Sequence, residues 1–448
     1  MGQFKSTRKY IISLAISFAG LLFLFFFRSE STGLPFPKFR FALISKLHSV
    51  PTDLCSGRYI YTYDLPARFN SDLLRDCNTL NRWNDMCPFI ANSGLGPPLN
   101  DSSRVLPEAG WYATNQFTLE IIFHNRMKQY RCRTTNSSIA AAIYVPLYAG
   151  LDIGRHLWGY NMSVRDSLSL DLVQWLKSRP EWSRNGGRDH FFVSGRITND
   201  HRRPSEEEIS WGNKLMLLPE IENFTLLAIE SALHTTNEVA IPYPTYFHPS
   251  DERQVASWQE TVRPMDRPWL FSFAGARRPQ QTTSIRDHLI DQCTRSDECR
   301  LLQCGHGKND CYSPTRIIKL FKHSKFCLQP TGDSFTRRST FDSILSGCIP
   351  VFFNPNSAYT QYMWHFPKNY TEYSVFISEE EVREGKVSIE EVLLKYSKER
   401  VNEMRENVIS MIPRIVYKDP RYEVESVRDA FDIAIDGVIE RVKRFKAA

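Results

Sequence analysis

Two stretches of this 448-residue sequence set glycine near arginine in a way that could hold a phosphate. In Phe326 to Phe353, FCLQPTGDSFTRRSTFDSILSGCIPVFF, Gly332 would let a ligand approach the backbone, while Arg337 and Arg338 supply fixed positive charge on fork-shaped donors. Asp342, one helical turn on, could accept from a ribose hydroxyl. The second stretch, Gly275-Ala276-Arg277-Arg278, directly follows the apolar run Trp269 to Ala274. Together these residues read as a holder for a nucleoside diphosphate. An ordinary strand-to-helix crossover with solvated arginines also fits, because no fixed phosphate-loop pattern is present.

Groups that could orient or deprotonate a hydroxyl are Asp64, Asp152, Asp200 and His201, each just beyond a strand-like run. Asp152 and Asp200 are the catalytic candidates, although the commoner fate of an Asp after a strand is a helix N-cap or a solvated loop carboxylate. Asp189 and His190 precede their strand, point to the wrong end of a sheet, and read as structural. No Asp-x-Asp pair occurs, so charge on a bound phosphate falls to arginines and helix N-termini, and neither a metal nor a cofactor is called for.

Positioning these groups requires strands that end where they stand. Short apolar runs predict strands at Tyr59 to Tyr63, Ala140 to Pro146, Phe191 to Ser194, Leu226 to Ser231 and Val239 to Pro242, with helices over Trp111 to Met127 and Asp166 to Lys177. A stretch from His248 to Pro268 reads as a connection. The alternation then resumes with strands Trp269 to Ala274, the Phe326 run, Cys348 to Phe353 and Ser374 to Ile377, and helices Ser284 to Asp291 and Ser313 to Phe321. This pattern predicts an α/β protein of two doubly wound, Rossmann-like domains, 55–250 and 265–420, followed by helical periodicity that closes the chain in 421–448.

The N-terminus carries Lys5, Arg8 and Lys9, then an apolar run from Ile11 to Phe27, then Arg28. Such a run spans roughly 25 Å at about 1.5 Å per residue, and its flanking charges predict a cytosolic tail (1–10), a transmembrane signal anchor (11–27) and a luminal remainder. Residues 28–54, with Pro35, Pro37 and Pro51, read as a stem. Sequons at Asn100, Asn136, Asn161, Asn223 and Asn369 suit a luminal chain. So do ten cysteines, four before residue 150 and six after 290, which predicts disulfides within each half. The cluster Cys293, Cys299, Cys304 and Cys311 has no C-x-x-C pair and so reads as disulfides rather than zinc; Cys327 and Cys348 read as buried thiols. A net charge of +6 without a basic block excludes a nucleic-acid partner.

The run FCLQPTGD, the later acidic Asp342 and GCIPV resemble the signature of the exostosin-like glycosyltransferases, glycosyltransferase family 47. GDSFTRRSTFDSILSGCIPVFF is similar to the plant subgroup that contains xyloglucan galactosyltransferases, and GGRDHFFVSGRIT and FHNRM extend the likeness over most of Cys55 to Tyr417. The resemblance implies the GT-B arrangement, two such domains facing a cleft, in a single-pass type II protein of the Golgi membrane. It implies inverting transfer of galactose from UDP-galactose to xylosyl side chains of xyloglucan, alongside other wall-polysaccharide glycosyltransferases. Other outcomes it allows are galacturonosyl or arabinosyl transfer, mannan galactosylation, or a non-catalytic carbohydrate-binding membrane protein. Where many members place Arg three residues before the acidic position this chain has Ser339, which passes the phosphate role to Arg338 or Arg337. Asp152 stands where related sequences also carry an acid. Loop aromatics such as Trp158, Tyr160, Tyr243 and Tyr246 offer ring faces to sugars, with core packing as the alternative.

Overall fold

The computed structural model describes residues 53–101, 103–278, 284–305, 313–422 and 428–447. The expected tail and anchor lie outside these residues, as does the stem apart from its last two positions. Among the described residues no helix is long and apolar enough to cross a membrane. Cys55–Ala448 form one compact unit.

Two parallel sheets organise that unit. The first has strands β1 (Ile60–Thr62), β2 (Arg133–Thr134), β3 (Ala142–Tyr144), β4 (His190–Ile197), β5 (Thr225–Glu230) and β6 (Glu238–Ala240), in the order β2-β1-β3-β4-β5-β6. The second has β7 (Trp269–Gly275), β8 (Cys299–Gln303), β9 (Ser324–Gln329), β10 (Ile349–Phe352) and β11 (Val375–Phe376), in the order β11-β10-β9-β7-β8. Alternate residues of the first sheet enter different apolar clusters: Tyr144, Phe191, Val193 and Leu227 on one face, Ile143, Phe192, Leu226 and Ala228 on the other. Burial of both faces is why these strands read as unbroken apolar runs.

Three departures from the sequence reading have local causes. The helix expected from Trp111 begins only at Leu119, after a 3₁₀ turn (Gln116–Thr118). Extended Asn115 accepts from the Phe117 N–H at 3.0 Å and caps that turn, while Trp111 and Tyr112 form antiparallel bridges to Phe247 and Pro98. The supposed connection contains the helix Glu252–Val262, capped by Asp251 on Gln254 N at 3.0 Å, with Val255, Trp258 and Val262 buried at helical spacing. Cys327 and Cys348 are disulfide-bonded rather than free, because the register that sets Cys327 opposite Pro350 brings the two Cα atoms to 5.9 Å. The remaining described pairs, Cys55–Cys132, Cys77–Cys87 and Cys293–Cys299, stay within their halves, and Cys304 is disulfide-bonded as well.

The last helix, Ala430–Ala447, returns to the first sheet. Phe431 packs on Phe123 at 4.7 Å between ring centroids, Arg441 Nε donates to Thr225 Oγ1 at 2.9 Å, and Arg126 meets Asp429 at 3.3 Å. Closing a loop of 21 residues, the Cys327–Cys348 bond should stabilise the fold by about 3 kcal/mol. Cys327→Ala with Cys348→Ala is therefore expected to lower the thermal midpoint by several degrees; an unchanged midpoint would mean that the bond is not formed.

Candidate active site

β7 and β9 are hydrogen-bonded neighbours, with Ser272 opposite Cys327, so the loops that leave their carboxyl ends emerge side by side. Arg278 comes from the first loop, Gly332 to Arg337 from the second, and Arg286 opens the helix Arg286–Arg295 that follows β7. A β-carbon on Gly332 would fall 1.7 Å from Arg337 Nη1 and 3.0 Å from Arg286 Nη2. The absence of a side chain there is what admits both guanidinium groups. Arg278 pairs with Asp333, Nη2 to Oδ2 at 3.2 Å, and Arg286 Nε donates to Thr331 O at 3.3 Å.

Three arginines thus surround one carboxylate. Burial, with Arg337 and Arg278 nearby, pushes the Arg286 guanidinium down to about 9, while its bond to Arg278 and the charges of Arg337 and Arg286 hold Asp333 below the usual carboxylate range. Crowded like charge at the carboxyl ends of parallel strands is an unfavourable arrangement that a bound anion relieves.

Backbone alternation sends Arg337 and Arg338 in different directions. Arg337 is extended (φ −145°, ψ 141°), so its neighbours point the other way. Thr336 N and Oγ1 donate to Glu230 Oε2 at 2.7 and 2.6 Å, and Arg338 Nη1 donates to Thr114 O at 2.6 Å with its guanidinium 3.5 Å from the Tyr246 ring centroid. Asp342 is 4% exposed and sits 4.0 Å from Arg338 Nε. Its Oδ1 has no hydrogen-bond partner among the described residues, and burial raises its carboxyl to about 6. Arg338 and Asp342 thus face inward, and Arg277 turns to Asp291. Gly275 makes room for the Phe273 ring, whose Cζ would lie 2.4 Å from a β-carbon there. Of the residues expected to hold phosphate the structure brings Gly332, Arg337 and Arg278 together, and Arg286 joins them. An arginine in the first turn of a helix, where the macrodipole disfavours it, was the available signal for Arg286.

At the ends of the first sheet's strands most acids are buried. Asp152, 5% exposed, lies in the helix Ala149–Arg155 and pairs with Arg155. Asp200, also 5% exposed, accepts from Trp211 Nε1 at 2.6 Å and lies 3.5 Å from Arg196 Nη1. Burial raises both carboxyls above their ordinary range despite these partners. His201 contacts Ser194 Oγ at 2.9 Å and Asn213 Oδ1 at 3.3 Å; burial pushes it down to about 4 and keeps it a neutral scaffold group. Asp64 is exposed. Asp189 and His190 lie in a buried chain from Asp189 Oδ1 through His190 to Tyr63 OH, at 2.8 and 2.9 Å.

Glu120 went unremarked in the sequence. Wholly buried, it accepts from the N–H groups of Gly150, Leu151 and Gly195 at 2.6, 3.1 and 3.3 Å, and burial raises its carboxyl to about 8. A register shift in β4 between Ser194 and Ile197 accompanies the Gly195 contact.

The structure thus holds two parallel sheets, one ending in an arginine cluster beside Gly332 and the other in buried acids. The exostosin GT47 domain matches residues 54–393, and the chain belongs to that family. It is 55% identical over 411 residues to the xyloglucan galactosyltransferase MUR3 of Arabidopsis thaliana, covering 91% of this chain and 66% of the relative. Likewise it is 53% identical to the probable xyloglucan galactosyltransferase GT12 of that plant, over 90% of this chain and 80% of the relative. The xyloglucan-specific galacturonosyltransferase 1 of Arabidopsis thaliana is 42% identical over 87% of this chain and 58% of its own length. A solved glycosyltransferase of Rickettsia africae aligns over 87% of this chain and 99% of its own at 8% identity and a TM-score of 0.34, too loose a likeness to add more.

With UDP as the probe, Arg337→Ala and Arg286→Ala are expected to weaken binding by about 2 kcal/mol each, or roughly 30-fold, whereas Arg277→Ala should bind nearly as wild type. Calorimetry on variants with unchanged melting checks this. Tight binding by both of the first two would remove the anion site from this loop.

Proposed function

We propose that this chain transfers galactose from UDP-galactose, with inversion, to xylosyl side chains of xyloglucan. The observation that carries the reading is the arginine nest around Gly332, in a chain more than half identical to a xyloglucan galactosyltransferase. Arg278, Arg286 and Arg337 bind the diphosphate and meet the charge that grows on it as the bond to the sugar breaks. The base that takes the acceptor proton is Asp152 or Asp200, and the raised carboxyls of both shift in the direction that suits a base. Because the arginines neutralise the leaving group, the reaction needs no metal. Incubating the full-length protein with UDP-galactose, UDP-galacturonic acid and xyloglucan oligosaccharides, with product mass as the readout, tests donor and acceptor together. Activity is expected to persist in excess EDTA; loss that manganese restores would overturn the metal-free reading.

A galacturonosyl donor is the second reading, favoured by the 42% identical galacturonosyltransferase, and the same masses separate it from galactose.

The apolar run 11–27, the sequons and the disulfides support a Golgi type II topology with the catalytic unit in the lumen. Asn100, Asn136, Asn161 and Asn369 are exposed, but Asn223 is half-buried and its Nδ2 donates to Gly186 O at 3.2 Å. Glycans are expected on the first four and not on Asn223, as read by peptide mapping after glycosidase treatment. An unglycosylated protein would overturn the compartment.

A further inference from the structure

Away from the arginine nest, beyond the ends of β3 and β4, three tryptophans stack at the surface. Trp158 and Trp211 lie 4.8 Å apart between ring centroids at an interplanar angle of 14°, and Trp83 lies 5.6 and 6.2 Å from them. Trp83 is 57% exposed, Trp211 40% and nearby Tyr160 39%. Rings of this size belong in a core unless something covers them.

The shelf is built rather than incidental. Its rings come from three separate segments, each fastened by buried or backbone groups. Gly159 N donates to Glu208 O at 2.7 Å and Gly212 N to Leu157 O at 2.8 Å, so the loops bearing Trp158 and Trp211 are zipped together. Arg165, 1% exposed, directs its guanidinium at carbonyls of both: Leu157 O at 2.7 Å, Glu208 O at 3.3 Å, and those of Ser210 and Gly212. The third segment joins through Arg82, which donates to Trp158 O and lies 3.9 Å over the Trp158 ring. Trp211 Nε1 in turn holds the Asp200 carboxylate, which ties the shelf to the acidic side of the site.

The surroundings select the occupant. Glu207 and Glu208, exposed on the loop that carries Trp211, oppose an anionic membrane surface or a nucleic acid, while neighbouring Glu206 is paired with Arg203 and Lys214. An uncharged chain with flat apolar faces and hydroxyl edges fits rings rimmed by polar groups. Resting on the reading of the chain as a polysaccharide transferase, we infer that Trp83, Trp158 and Trp211 form a docking shelf for the glucan backbone of the acceptor, apart from the sugar being modified.

Kinetics and binding of the full-length protein test this. Trp83→Ala, at an exposed position that leaves the fold alone, is expected to raise KM for polymeric xyloglucan about 10-fold, with kcat and the KM for UDP-galactose unchanged. Trp83→Tyr should recover most of the loss, and an acceptor of one repeating unit should show a smaller effect. Tryptophan fluorescence titrated with xyloglucan polymer without donor should quench in the wild type and much less in Trp83→Ala. Wild-type KM and quenching in folded Trp83→Ala and Trp83→Ala/Trp158→Ala variants would overturn the shelf, as would vesicles of phosphatidylserine quenching the rings in place of the polymer. Should the wild type bind polymer with Trp83-dependent quenching but transfer no galactose, the shelf stands and the donor assignment falls.

Discussion

A buried carboxylate ties the two sheets together. Glu230 ends β5 at 2% exposure, and its Oε2 takes both the N–H and the hydroxyl of Thr336 from the loop beyond β9. Removing either side would leave a polar group unpaired in the interior, a cost on the order of 1–3 kcal/mol, so the loop is fixed to the first sheet as firmly as to its own. Tyr243, whose hydroxyl meets Thr336 Oγ1 at 3.0 Å, and Arg338 on Thr114 O tighten the same junction. Arg337, between two anchored residues, has only the opposite direction left, toward Gly332 and Arg286.

Strands such as β4, β5 and β10 were legible because both of their faces are buried, which turns them into apolar runs, whereas the partly exposed β2 and β8 offered no such run and went unread. Glycine and arginine after β7 and β9 marked the rim. Depth and direction were not legible: Arg337 and Arg338 are indistinguishable as letters, and only the extended conformation of the loop separates them. The sequence marked Asp152, Asp200 and Asp342 by position, but not that each would be buried with an arginine beside it. The helix Glu252–Val262 was hidden because its polar majority outweighed three buried positions at helical spacing. For Cys327 and Cys348, position in a strand indicated burial, and only the strand register showed that the two meet.

Like charge gathered from two loops and a helix is a choice of this fold. The second sheet could have been packed with its arginines spread in water, as Arg277 is. Instead Arg286 is buried near Arg278 and Arg337, beside a glycine too crowded to bear a methyl group and with the Asp333 carboxylate among them.

The closing helix also orders events in time. Phe123, Tyr144 and Phe191 belong to an apolar cluster that Phe431, Ile435 and Val438 help to complete. During synthesis the first sheet, complete by Ala240, emerges long before those side chains exist, and it must wait with one face incompletely covered until the ribosome has passed residue 438. A nascent chain of this kind exposes apolar surface throughout the making of its second half, and chaperones are the agents that could shield it over that interval.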